Sequence, residues 1–496
     1  MRHCTIPLAL LCATLVHATT YHVATTGSNG NSGLSLADAW ATTQHAANTA
    51  VAGDSVLVHP GNYQGFAAMD NSGTPNAPIV FIATGGAVNI TSPCSYNNLD
   101  GINVEGVDRI VIEGFTVNDM PRTGIRSALT DHVTIRYNSC NSNYKWGILT
   151  GFAEHVIIEH NTCSGSEDEH GIYFSNSADD PIIRYNHCFD NNANGIHMNG
   201  DVSLGGDGTI SNAQVYGNVI HGNGAAGGSG INCDGVINSF IFNNLLYDNH
   251  ASGVSLYQID GGVPSTGNKV YNNTIINASD ARWCVNITDG CTGNQVLNNI
   301  LINQHAWRGS IVVAADALTG FVSDHNLVVE SLSPDGDATI LDLSAWQALG
   351  YDVNSQVADA QALLFADPNG GDFHALNAAA QMIDAGTSSV SAVVTVDHDG
   401  LARPQGLAYD IGCYEGDFTT ALVDTDGSHT ALLWTGGTAI VQHPDAASIR
   451  IIDAMGRTVV RMHARSGDRF VPPAGFSVMQ LLASDGAVLC SKQVLR

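Results

Sequence analysis

The apolar positions of this chain recur at a long period, not at the three-to-four residue period of helices. A Gly-Ile pair stands at Gly101-Ile102, Gly124-Ile125, Gly147-Ile148, Gly171-Ile172, Gly195-Ile196 and Gly230-Ile231. Gly253-Val254 and Cys284-Val285 continue the series, with successive spacings of 23, 23, 24, 24, 35, 23 and 31 residues. A second landmark runs out of phase: Asn138, Asn161, Asn186, Asn218, Asn244, Asn273, Asn299 and Asn326. Two residues after each comes an inward candidate: Cys140, Cys163, Cys188, Ile220, Leu246, Ile275, Leu301 and Val328. Val133/Ile135, Val156/Ile158, Ile182/Ile183 and Phe240/Phe242 add short apolar runs between the landmarks.

A rung of about 23 residues holds three short strands and three turns. Strands stacked at ~4.8 Å place equivalent residues of successive rungs on top of one another. The pattern predicts an all-β fold, a right-handed parallel β-helix stabilised by nearest-neighbour rungs. Leucine-rich repeats need a Leu scaffold that is missing, and propeller blades need about 40 residues per unit. Each landmark Asn is expected in a turn, with left-handed φ, bonded to its neighbours above and below. Leu36 to Ala50 reads as a short amphipathic helix that plugs the first rung. The reading divides the chain into a leader (1–18), the β-helix (19–345), its C-terminal cap (346–417) and a small β-sandwich (418–496).

Composition narrows the function classes. The 496 residues carry 18 Lys+Arg against 46 Asp+Glu, a net charge of -28. Such a chain repels phosphate and shows no basic stripe, so nucleic acid is excluded as a partner. At 44% hydrophobic it is not a disordered polyanion. No stretch is long enough for a transmembrane helix. Residues 1–18 read as a secretory signal, with Arg2 and His3 before an apolar run and a cleavage site at Val16-His17-Ala18. The mature protein is therefore expected outside the cell or on its surface, as a monomer. Of 11 Cys, Cys4 and Cys12 leave with the signal. Cys140, Cys163 and Cys188, spaced like the rungs, suggest a stack of small buried side chains rather than a disulfide framework.

Alternation after each Gly-Ile assigns two outward columns on one sheet. One reads Asn103, Arg126, Leu149, Tyr173, His197, Asn232, Ser255, Asn286. The other reads Glu105, Ala128, Gly151, Ser175, Asn199, Asp234, Tyr257, Thr288. Tyr, His, Asn and Asp thus gather on consecutive rungs. Two insertions, 201–209 and 258–268, follow directly on these strands and would wall a groove beside them. Trp146, Trp283, Arg282 and Arg308 fall on the same edge, and aromatic faces with Arg suit a sugar polymer. Asp201, Asp207, Asp234 and Asp260 are candidate hard-oxygen ligands for Ca2+ near the loops, against the plainer reading that they form turns. No Gly-x-Ser-x-Gly or phosphate-loop motif is present.

Three resemblances add to this. Tyr21-His22-Val23, Gly27-Ser28-Asn29-Gly30, Gly53-Asp54-Ser55-Val56-Leu57-Val58 and Pro60-Gly61-Asn62-Tyr63, with the rungs that follow, resemble secreted β-helix proteins over residues 20–340. Those proteins include polysaccharide lyases and uronan epimerases. Asp372-Phe373-His374, Ile383-Asp384-Ala385-Gly386, Asp399-Gly400-Leu401-Ala402-Arg403-Pro404 and Asp410-Ile411-Gly412-Cys413-Tyr414-Glu415 resemble a segment that follows such helices; its Asp and Arg are expected to hold loops. Ile449 to Arg457, Pro472-Pro473-Ala474-Gly475-Phe476 and Lys492 to Arg496 resemble type IX secretion sorting domains, which implies that export machinery as a partner.

The first resemblance implies an exported carbohydrate-active protein, a lyase cleaving an acidic polysaccharide by β-elimination. A polyuronate C5-epimerase, a glycoside hydrolase and a non-catalytic surface binder or adhesin are the alternatives. A lyase must remove the proton at C5, protonate a leaving oxygen and neutralise a carboxylate. His197 is the candidate base and Tyr173, one rung away, the candidate acid. His170 lies beside them in Asp168-Glu169-His170-Gly171, which faintly resembles the Asp-Pro-His motif of mannuronan epimerases. Lys145, before Trp146, is a second candidate base. Asn199, Asn232, Tyr257, Arg282, Trp283 and Arg308 would contact the sugar.

Overall fold

The Gly-Ile pairs stack in register. In the computed structural model, Thr123–Asp131 pairs in parallel with Asp100–Glu105 on one side and Trp146–Glu154 on the other, aligning Ile125 with Ile102 and Ile148. Further along, Ile172, Ile196, Ile231, Val254, Val285 and Ile311 form another such column. All of these side chains are fully buried, each stabilising the rung by ~1.5–3 kcal/mol relative to exposure. Residues 18–376, 379–416, 420–423, 430–435, 438–453, 458–470, 477–485 and 487–494 are described. The fold is an all-β, right-handed parallel solenoid of about twelve turns with few helices. Contacts divide the chain into two compact units, residues 1–162 and 163–496.

At Gly101, Gly124, Gly171, Gly195, Gly230 and Gly253 the glycine is required by close approach rather than by an unusual backbone angle. A Cβ at Gly124 would lie 2.6 Å from the carbonyl oxygen of Gly147, and one at Gly171 would lie 2.8 Å from that of Gly195.

The landmark asparagines form a buried ladder. In the second unit Asn186, Asn218, Asn244, Asn273 and Asn299 each donate both the backbone N–H and the side-chain Nδ2 to Oδ1 of the next Asn, ending at Asn326. Asn326 donates Nδ2 to the buried carboxylate of Asp352 at 2.8 Å. Asn138 and Asn161 make the same pair in the first unit. The left-handed residue is not the ladder Asn, as expected from sequence, but the one before it: Tyr137, His160, Tyr185, Gly217, Asn243, Asn272, Asn298 and His325. The bend must precede the ladder so that the amide can point inward and stack.

Among the described residues, eight cysteines, Cys140, Cys163 and Cys188 among them, are buried free thiols. The expected 36–50 helix is broken. A 3-10 turn, Leu36–Asp38, is separated from the α-helix Thr43–Thr49, whose N-cap Thr42 accepts from the His45 N–H. Between them Trp40 is extended and stacks on Tyr21 at 4.4 Å, which stops the helix from running through.

The cap segment also differs from expectation. The last rung strand, Gln356–Val357, is preceded by the helix Leu343–Ala348, whose Trp346 is fully buried and donates Nε1–H to Asp352. Residues 361–376 and 379–413 run along the side of the rungs. Phe365, Phe373, Ile411 and Cys413 pack on Leu245, Ile276, Ile300 and Leu327, and Asn243, Asn272 and Asn298 bond to backbone groups of Val396, Asp410 and Thr387. The Asp and Arg of this segment do hold loops: Arg403 and Glu415 form a buried ion pair at 2.6 Å.

Near the C-terminus are two four-stranded antiparallel sheets, one built on Ala446–Asp453 between Thr458–His463 and Ser477–Ala483. Most of the proposed leader (1–17), together with residues 454–457, 471–476 and 495–496 of the sorting-domain resemblance, lies outside the described residues. No helix among the described residues is long and apolar enough to cross a membrane.

Candidate active site

The two outward columns stand side by side as alternation requires. Tyr173, His197, Asn232, Ser255 and Asn286 are successive register partners, as are Ser175, Asn199, Asp234 and Tyr257. The strands that carry them are His170–Ser175, Ile196–Asn199, Ser229–Asp234 and Ser252–Tyr257.

A hydrogen-bonded relay links three rungs. The backbone N–H of Asn194 donates to His170 Nδ1 at 3.3 Å, so that nitrogen carries a lone pair and Nε2 carries the proton. His170 Nε2 lies 3.0 Å from His197 Nδ1, and His197 Nε2 lies 3.3 Å from the Tyr257 hydroxyl. With both rings neutral, His197 Nε2–H points at Tyr257 Oη. Asn232 Nδ2 donates to the same oxygen at 2.8 Å, its Oδ1 being taken by the Ser229 hydroxyl. Tyr257 Oη thus accepts twice, and its own proton is free to leave the network.

Burial decides the charge states. It pulls the His197 imidazole down to about 3, so the ring is neutral. It raises the Tyr257 hydroxyl, with Asp234 adding to the effect, so the phenol stays protonated at neutral pH. Tyr173 is pushed up to about 12, again chiefly by burial.

Tyr257 opens into a pocket of about 290 Å³ that is also lined by Asn232, Ser255, Ile259, Arg282, Asn286 and Asp289. Arg282 is exposed, and no described carboxylate pairs with it. The pocket thus unites four of the expected groups, Asn232, Tyr257 and Arg282 directly and His197 through Tyr257.

Other expected residues lie elsewhere or act differently. Tyr173 stacks on His197 at 5.1 Å and accepts from Asn199 Nδ2, so it packs the relay and does not line the pocket. His197 has both ring nitrogens engaged, which suits it to orient Tyr257 rather than to meet substrate itself. Trp283 is buried, 3% exposed, and edge-on to Trp307, so it offers no platform for a sugar. Trp307 is 47% exposed, with the Arg308 guanidinium over its ring at 4.6 Å. Lys145 belongs to the first unit, where its ammonium lies 5.3 Å from the Trp146 ring centroid.

The loop aspartates expected as calcium ligands are held mainly by backbone N–H groups. Asp234 is buried, its oxygens accepting from the N–H groups of Ile259, Asp260 and Gly261. Asp201 and Asp207 each accept from the backbone two residues on. Asp260 faces Asn199 Nδ2 at 3.5 Å. These carboxylates pin the inserted loops, and among the described residues they do not converge on a common point.

Residues 78–204 match a family model, the right handed beta helix region. No curated protein matches the chain. Among solved structures, the pectate lyase Pel9A is similar with a TM-score of 0.55 at 16% identity, covering 80% of this chain and 96% of that one. A rhamnogalacturonan lyase has a TM-score of 0.43 at 14% identity, covering 57% of this chain and 82% of its own. An alginate lyase from Paenibacillus sp. has a TM-score of 0.42 at 21% identity, covering 54% of this chain and 93% of its own. The likeness to Pel9A shows the fold, not the reaction.

Proposed function

We propose that the protein is a polysaccharide lyase acting on a polyuronate. The observation that carries this is the Tyr257 hydroxyl, oriented by the His170–His197 relay, opening into a pocket with the exposed Arg282 guanidinium. Arg282 pairs with the uronate carboxylate and so makes the C5 proton more acidic. Asp289, the carboxylate lining the same pocket, takes that proton. The C5 electron pair forms the C4–C5 double bond as the C4–O bond breaks, and Tyr257 protonates the departing oxygen. The tyrosinate left behind is met by two ready donors, Asn232 Nδ2–H and His197 Nε2–H. The similarity to a pectate lyase in fold supports a carbohydrate substrate.

The test is incubation with pectate, alginate and glycosaminoglycans, read at the ultraviolet band of the unsaturated product. New absorbance that disappears in Tyr257→Phe is expected. A C5-epimerase would change the polymer's NMR spectrum without that band, a hydrolase would release saturated reducing ends, and a binder would retard the polymer without product.

A further inference from the structure

One corner of the first unit gathers groups that the groove chemistry does not use. Asp131 closes the strand Thr123–Asp131 and is the register partner of Glu154, so the next residues, His132 and His155, occupy the same corner one rung apart. Both adopt left-handed backbone, with φ of 57° and 51°. Their rings stack at 4.5 Å with 24° between planes, and both turn Nδ1 toward one oxygen. Asp131 Oδ1 lies 2.5 Å from His132 Nδ1 and 2.9 Å from His155 Nδ1. The other oxygen, Oδ2, faces Arg109 at 3.9 Å, which holds Oδ1 toward the histidines.

We propose that Asp131, His132 and His155 bind a divalent transition-metal ion of the zinc class. The three ligand atoms lie within 4.8 Å of one another. Two imidazole nitrogens with one carboxylate oxygen form a borderline donor set that favours zinc, copper or nickel over calcium and magnesium, which take all-oxygen shells. Zinc bonds of ~2.0–2.2 Å require these atoms to stand slightly further apart than they do when hydrogen-bonded. The side chains are 36–47% exposed, so small ring rotations supply that adjustment. Each ring takes the tautomer with its proton on Nε2, so that the Nδ1 lone pair binds the ion in place of the hydrogen bond to Asp131, and the fourth position is left to water. Asp108, which accepts the Asp131 N–H, and Glu154 add negative charge at this corner, and Arg109 is the opposing cation. Binding would pin two successive rungs.

The test uses the full chain after chelator treatment, titrated with zinc by calorimetry, beside the double variant His132→Asn/His155→Asn. Asparagine fits because Asn212 and Asn238 hold the same left-handed conformation elsewhere. The wild type is expected to bind one more equivalent of zinc than the variant, and cobalt substitution should give a visible band that the variant lacks. Asp131→Asn should weaken the event by at least the ~10–100-fold that losing an outer-shell partner costs. Zinc should raise the melting temperature of the wild type alone, and excess calcium should not compete. Equal stoichiometry and affinity in wild type and double variant would overturn the proposal, as would zinc binding in the wild type that calcium abolishes.

Discussion

His197 Nδ1 receives the Nε2 proton of His170 across 3.0 Å, and this single contact fixes which nitrogen of His197 faces Tyr257. Replacing His170 by Leu removes the donor while leaving Tyr257 in place. The expected result is a fall in kcat with KM nearly unchanged, because the residue positions another and does not touch substrate. Tyr257→Phe, by contrast, should lower kcat by ~10²–10⁴-fold, the usual worth of a general acid, with polymer affinity retained. Steady-state kinetics on the active polyuronate check both.

The pH profile should lack a step near the ordinary histidine value. His197 is neutral from about pH 3 upward, and the Tyr257 proton is held beyond its ordinary value of 10. The protonated phenol is therefore available throughout the neutral range and is lost only as pH rises past its raised value. A kcat/KM limb near pH 6.5 that vanishes in His197→Gln would show that the charged ring takes part, against this account.

The same burial makes stability depend on acid. The folded imidazole sits at about 3 against 6.5 for an ordinary histidine, so within that window the unfolded chain binds a proton that the folded chain refuses. Stability should fall as pH drops below 6.5, by ~1.4 kcal/mol per pH unit from this residue. Urea midpoints of wild type and His197→Gln, compared between pH 7 and 4, isolate the contribution as a difference in slope.

Arg282→Ala should raise KM for the acidic polymer at least tenfold and flatten its dependence on salt. An uncharged polymer of the same backbone should be indifferent to the change. Binding isotherms at two ionic strengths make the comparison.

Asn273→Ala removes an amide that donates to Ile241 O, Tyr271 O and Asn299 Oδ1 and accepts from Asn244. Each buried group left without a partner costs ~1–3 kcal/mol, so a loss of several kcal/mol is expected. Asn89→Ala, which breaks one bond to Asn62 on the surface, should stay within ~0.5 kcal/mol. Chemical denaturation of the two variants checks the contrast.

The rungs and the two columns were legible because a coil that closes about every 23 residues forces Gly-Ile into vertical register, and alternation then assigns the faces. The position of the left-handed bend was not, since Tyr137, His160 and Tyr185 occupy it without the usual Gly or Asn signal. The burial of Asp234 and Trp283 was hidden for another reason. It depends on where an insertion and a neighbouring turn fold back, which no periodicity encodes. The columns therefore stand where alternation put them, while the proposed acid is Tyr257 instead of Tyr173.

The amide column from Asn186 to Asn326 has a direction. Every carboxamide carries its positive end toward the higher-numbered neighbour, so the small dipoles add head to tail. Such an array needs an anion where it stops, and Asp352 supplies one, sealed beneath Trp346. An extra coil inserted midway would simply lengthen the row, whereas one appended after Asn326 would first have to evict that terminating charge. The amide row of this chain can thereby be lengthened from within but not from this end.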